Sequence, residues 1–205
     1  MRNNSKFHSY NCIKEKCSHE EKVKSSKFIA TAAPVNDVAA ANEFIAEIKK
    51  KFHDASHNCS AYRIGKGKSL IFKYSDDGEP SGTAGAPILK AIEKRELSDI
   101  CVVVTRYFGG TKLGTGGLSR AYGQSTSELL KKCEVEKKYE LKSLEFRVEF
   151  DFVGVVHNIL EKFKVDIKDS QYGDDVLFIV DVRLTSLAAL KEKLTEATNG
   201  QIRFR

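Results

Sequence analysis

From Cys101 to Gln124 the chain reads CVVVTRYFGGTKLGTGGLSRAYGQ: a continuous apolar run, then a glycine-dense loop, then a helical pattern. An apolar run of this kind, bounded by turn residues, is the mark of a strand buried on both faces. The five glycines that follow it, Gly109, Gly110, Gly114, Gly116 and Gly117, open backbone conformations closed to other residues. They also allow N–H groups to approach an anion closely. Arg106, Lys112 and Arg120 surround the loop with positive charge. The architecture is that of a phosphate site, yet neither the Walker pattern nor the dinucleotide fingerprint is present in register.

A second constellation lies upstream in YSDDGEPSG. Asp76, Asp77 and Glu79 together have the hard oxygen ligands for a cation such as Mg²⁺, whose shell bound phosphates would complete. Asp-Gly and Pro80 are also ordinary turn chemistry, and both readings stand at this point. Thr83 precedes a helical pattern, where its hydroxyl can cap the helix or receive an anion. Tyr107 and Phe108, at the mouth of the glycine loop, are the aromatic residues placed to stack on bases. His53, His57 and Cys59 lack the spacing of a zinc site and suit hydrogen bonding instead. Neither Ser81 nor Ser119 sits in a nucleophile elbow, so ester or peptide hydrolysis is not expected.

Read in order, SKFIA at 26–30, HDASHNCSAYR at 53–63, DDGEPSGTAGAPIL at 76–89 and VVVTRYFGGTKLGTGGLSRAYG at 102–123 resemble the YigZ/Impact family. The resemblance implies an α+β fold of two domains. The first is like the second domain of a small-subunit ribosomal protein and like domain IV of elongation factor G. The second is ferredoxin-like, βαββαβ, as in domain V of that factor. Both point to RNA, the ribosome and translation as the setting, by analogy of fold. Eukaryotic members carry a further N-terminal partner-binding domain; the shared part opens here by Ser26, so their regulatory role is not carried over.

The domains are expected at 1–140 and 141–205. In the first, strands are expected at 26–35, 60–64, 70–74 and 100–108. Helices are expected at 36–52, with Asn36 as its cap, and at 84–95 and 118–132. After a charged connection at 133–142, the second should place strand 144–152, helix 155–163, a hairpin of 165–172 with 176–184, helix 187–197 and a last strand at 201–205. The basic surplus belongs to the first part: residues 1–140 hold 24 Lys+Arg against 17 Asp+Glu, which favours encounters with polyanions. No apolar run is long enough to span a bilayer and the first residues lack the apolar block of an export signal, so a cytoplasmic protein is expected. An odd count of five cysteines then suggests reduced thiols, with Cys12, Cys17 and His19 in a mobile leader.

The leading reading is a non-enzymatic protein that binds nucleic-acid or nucleotide phosphate through Thr83, Arg106, Tyr107, Gly109, Gly110, Lys112, Gly116, Gly117 and Arg120. Two alternatives remain: a magnesium-assisted enzyme acting on a small phosphorylated metabolite with Asp76, Asp77 and Glu79 at its metal, and a regulator that binds only protein.

Overall fold

The computed structural model describes residues 9–205, which divide at Lys138/Tyr139 into two compact units. The reading of the first residues as free of an export signal lies, for positions 1–8, outside the described residues.

The first unit is built on a five-stranded antiparallel sheet in the order β2-β3-β6-β4-β5. The strands are β2 (Cys17–Val23), β3 (Ser26–Pro34), β4 (His57–Ile64), β5 (Ile71–Ser75) and β6 (Ile100–Tyr107). Strand β6 lies between β3 and β4 and is buried on both faces, which is why its sequence is uniformly apolar rather than alternating. Its Val102 and Val104 join Ala30, Ala32, Cys59 and Ala61 beneath two helices, α2 (Gly85–Lys94) and α3 (Gly114–Lys132). On the other face Cys101 and Val103 join Tyr62, Ile64 and the buried stripe Ala41, Phe44 and Ile48 of helix α1 (Val38–Lys51). Asp37, not Asn36, caps α1: its backbone is extended and its carboxylate accepts the Ala40 N–H at 2.8 Å.

The N-terminal segment read as a mobile leader is structured. Strand β1 (Ser9–Ile13) pairs with β7 (Val135–Tyr139), and β2 is an edge of the main sheet. These three strands escaped detection because they are polar: CSHEEKV and VEKKY hide a period of two under charge, as solvent-facing strands do. The expectation of reduced cysteines is overturned at one pair. Cys17 on β2 and Cys133 at the end of α3 form a disulfide with a Cα–Cα separation of 6.0 Å. Parity and compartment say nothing of proximity in the fold, which decides pairing. Cys12, Cys59 and Cys101 are free and buried.

The second unit follows the expected βαββαβ order: β8 (Leu141–Val148), α4 (Val153–Lys162), β9 (Asp166–Tyr172), β10 (Val176–Arg183), α5 (Leu187–Ala197) and β11 (Arg203–Phe204). The strand order β11-β8-β10-β9, all antiparallel, is that of a ferredoxin-like sheet. Leu144, Phe146 and Val148 of β8 meet Val156, Ile159 and Leu160 of α4 and Leu190 and Leu194 of α5 in its core. No helix of the described residues is long and apolar enough to cross a membrane.

Candidate functional site

Helix α3 starts at Gly114, so the glycine-dense segment is loop only as far as Leu113, and Gly116 and Gly117 belong to its first turn. Each glycine has its own reason. A Cβ on Gly109 would stand 1.8 Å from the Ser25 carbonyl oxygen, so only glycine lets the loop lie against the start of β3. Gly110 and Gly114 turn the chain at φ +85° and +71°. Gly116 has neither constraint: a Cβ there would meet only the Arg120 guanidinium, at 3.8 Å. What it contributes is a bare helix surface beside two exposed cations, Lys112 and Arg120.

This N-terminus carries no side-chain cap, so its first N–H groups lack intrahelical partners. It opens on a pocket of about 320 Å³ lined by Pro80, Phe108, Leu113, Thr115 and Leu118, with His57, Glu79 and Arg106 among its walls and Lys112 at its rim. The DDGEP turn and the glycine loop therefore meet in space.

Arg106 sits in this wall as a structural cation. Alternation along β6 puts it on the same face as Val102 and Val104, beneath the helices, and its side chain is 6% exposed. Its Nη1 donates to Glu79 Oε1 at 2.6 Å, its Nη2 donates to Ser26 Oγ at 3.3 Å, and its guanidinium lies between the rings of Phe28 and Phe108. The Tyr122 hydroxyl donates to the same Glu79 oxygen at 2.8 Å; burial first, then the neighbouring Cys59 and Glu79, push that phenol's pKa up. The positive charge assigned to phosphate is thus held by a buried carboxylate, which leaves Lys112 and Arg120 as the exposed cations of the loop.

The three carboxylates of the turn serve separate sets of partners. Asp76 accepts the N–H groups of Gly82, Ala84 and Gly85 at 2.8, 2.9 and 2.8 Å, closing the N-terminus of α2. Asp77, in the left-handed region at φ +46°, holds Lys49 Nζ at 2.5 Å and the Asn58 N–H at 2.7 Å. Glu79 holds Arg106. Among the described residues no group of three or more His, Cys, Asp or Glu is arranged to hold a metal ion. Thr83 is not the cap of α2: its hydroxyl donates to the Pro80 carbonyl at 2.6 Å inside the turn, and Asp76 takes the helix amides instead. Tyr107 donates to Asp54 at 2.8 Å, whereas Phe108 faces the pocket and is 49% exposed.

His57 is the pocket residue that sequence spacing did not single out. Strand register sets it opposite Arg106. Its Nδ1–H donates to the Asp77 carbonyl at 2.9 Å, which leaves Nε2 toward Glu79 at 3.9 Å.

Asp76 makes the α2 end pH-sensitive. Burial pushes its carboxyl pKa up, but the three amides outweigh burial and hold it below the ordinary aspartate value. A carboxyl depressed in the folded state stabilises the fold above its unfolded pKa of about 4, and the contribution is lost as pH falls through the folded value. Asp76→Asn is expected to cost about 1–2 kcal/mol near pH 7, and urea titrations should show the gap to the parent narrowing below pH 4. A gap independent of pH would contradict this assignment.

The Impact N-terminal domain matches residues 24–130, and a domain of unknown function, DUF1949, matches residues 146–201. IMPACT family member YvyE of Bacillus subtilis is 43% identical over 195 residues, spanning 95% of this chain and 89% of that protein. IMPACT family member YigZ of Escherichia coli is 33% identical over 185 residues, spanning 90% and 91%. The crystal structure of a hypothetical protein superposes with a TM-score of 0.72 at 31% identity over 96% of both chains. By the match of its first domain and by relatives that run nearly its full length, the chain belongs to the Impact family.

Proposed function

We propose that this protein binds single-stranded nucleic acid in the cytoplasm, with a phosphate at the N-terminus of α3 between Lys112 and Arg120 and an unpaired base against Phe108 in the adjoining pocket. The observation that carries the reading is the uncapped start of a 19-residue helix, bare at Gly116, opening on an apolar pocket with an exposed aromatic wall. Free helix N–H groups and the helix dipole favour an anion there, and base stacking on an aromatic ring adds affinity tolerant of sequence. The basic surplus of residues 1–140 supports a polyanion over a neutral ligand. A role in translation or its regulation is what the family resemblance implies, by analogy of fold.

A labelled oligouridylate titrated from low to moderate salt tests it. Lys112→Glu combined with Arg120→Glu should weaken binding and flatten the slope of log K against log salt by about 0.7, the share of one phosphate contact on a single strand. Gly116→Ala should weaken binding while leaving the unfolding midpoint unchanged or raised, since alanine favours the helix. No affinity at low salt, or an unchanged slope in the double variant, would sink the proposal. Competition by free nucleotide would show a small phosphorylated ligand to be the better occupant.

A further inference from the structure

We infer that the outer edge of β5 is a docking site for an extended segment of a partner protein, which adds to the sheet as a further strand and carries acidic side chains on one face and apolar side chains on the other. Among the described residues β5 is bonded along one side only, to β4, and all five of its residues are exposed. Ile71 is 49% exposed, Phe72 54% and Tyr74 45%, so three large apolar side chains flank a row of free backbone groups.

Edge strands of this kind are ordinarily blunted by charge, proline or a bulge. The opposite edge of the same sheet, β2, has that protection in His19, Glu20, Glu21 and Lys22. Strand β5 has less: its one charge is Lys73, it contains no acid and no proline, and its pairing with β4 runs without a register shift from Ile64↔Ile71 to Ser60↔Ser75.

The two faces of the edge differ, and the difference specifies the occupant. Lys73 lies opposite Tyr62, on the α1 face, and lines a groove of about 180 Å³ with Asn42, Ile45 and Lys49. Phe72 and Tyr74 lie opposite Arg63 and Ala61, on the α2 and α3 face. Successive side chains of an added strand alternate between faces, so one set would meet Lys73, since Lys49 is already paired with Asp77, and the other the two aromatic rings. A second copy of this chain fits worse. Antiparallel pairing of β5 with itself that sets Phe72 against Tyr74 also sets Lys73 against Lys73, and like charges directly opposite destabilise a sheet.

The test uses the full chain and two labelled heptapeptides, one alternating glutamate with valine and the other alternating lysine with valine. The acidic peptide should bind about tenfold tighter than the basic one and slow amide exchange across residues 71–75. Lys73→Glu, on an exposed position, should reverse that preference without altering the unfolding midpoint. Equal binding of the two peptides, no binding of either, protection elsewhere, or a β5-mediated dimer in sedimentation of the chain alone would each overturn the assignment.

Discussion

Arg106→Met is expected to destabilise the first unit by about 3–5 kcal/mol, read as a lowered urea midpoint with little change in slope. The substitution keeps the aliphatic bulk between Phe28 and Phe108 but removes, among the described residues, the only cation within hydrogen-bond reach of the Glu79 carboxylate, whose side chain is 3% exposed. Glu79 would keep the Tyr122 hydroxyl and lose its counter-charge, and an uncompensated buried charge is among the costliest single defects. Arg106→Met joined to Glu79→Gln should recover much of the loss, because the penalty belongs to the stranded charge and not to the absent ion pair. If the single variant costs under about 1 kcal/mol, or if the pair is no more stable than the single, the guanidinium is not the keystone described. The same reasoning disqualifies Arg106→Ala as a probe of ligand binding, since lost affinity there would report a damaged fold.

Opening the Cys17–Cys133 bridge should lower the stability of the first unit by about 2–5 kcal/mol. The bridge joins positions 116 residues apart, so it restricts the unfolded chain across most of that unit, and loop-closure entropy grows with such length. Urea unfolding with and without dithiothreitol, set beside Cys17→Ser, provides the measurement. The serine variant should match the reduced parent and be indifferent to reductant, while the second unit, which holds none of the five cysteines, should unfold alike under both conditions. Equal midpoints for oxidised and reduced parent would contradict this expectation.

The fold was legible wherever burial imposed a period on the sequence. Strand β6 announces itself because both its faces are covered, helix α5 falls at 187–197 as its apolar spacing indicates, and the hairpin of β9 with β10 turns at Gly173-Asp174-Asp175. Legibility failed at polar strands and at choices between neighbours. Strands β2 and β7 are rich in charge and β1, SYNCI, is short and largely polar, and Asn36 and Asp37 are equally good caps until the backbone selects one.

For the candidate site the lesson is narrower. The family resemblance paired the DDGEP turn with the glycine loop, but motif chemistry gave to ligands charges that Arg106 and the turn's carboxylates spend within the fold. Arg106 was readable as an inward residue, since in VVVTRY it shares alternation with Val102 and Val104; proximity to glycines drew attention away from that period. The tasks of Asp76 and Thr83 had no such signal: Asp76 accepts amides six to nine positions later, where the turn returns the chain onto a helix, and Thr83 bonds back to Pro80 within that turn.

Two neighbouring helices begin close to the same turn, and the molecule treats them unequally: α2 has its own carboxylate for a stopper, while α3 is left unstoppered. On the proposed reading, an incoming anion would find one berth instead of two. Taking the Asp76 carboxylate away would open a rival berth at the start of α2.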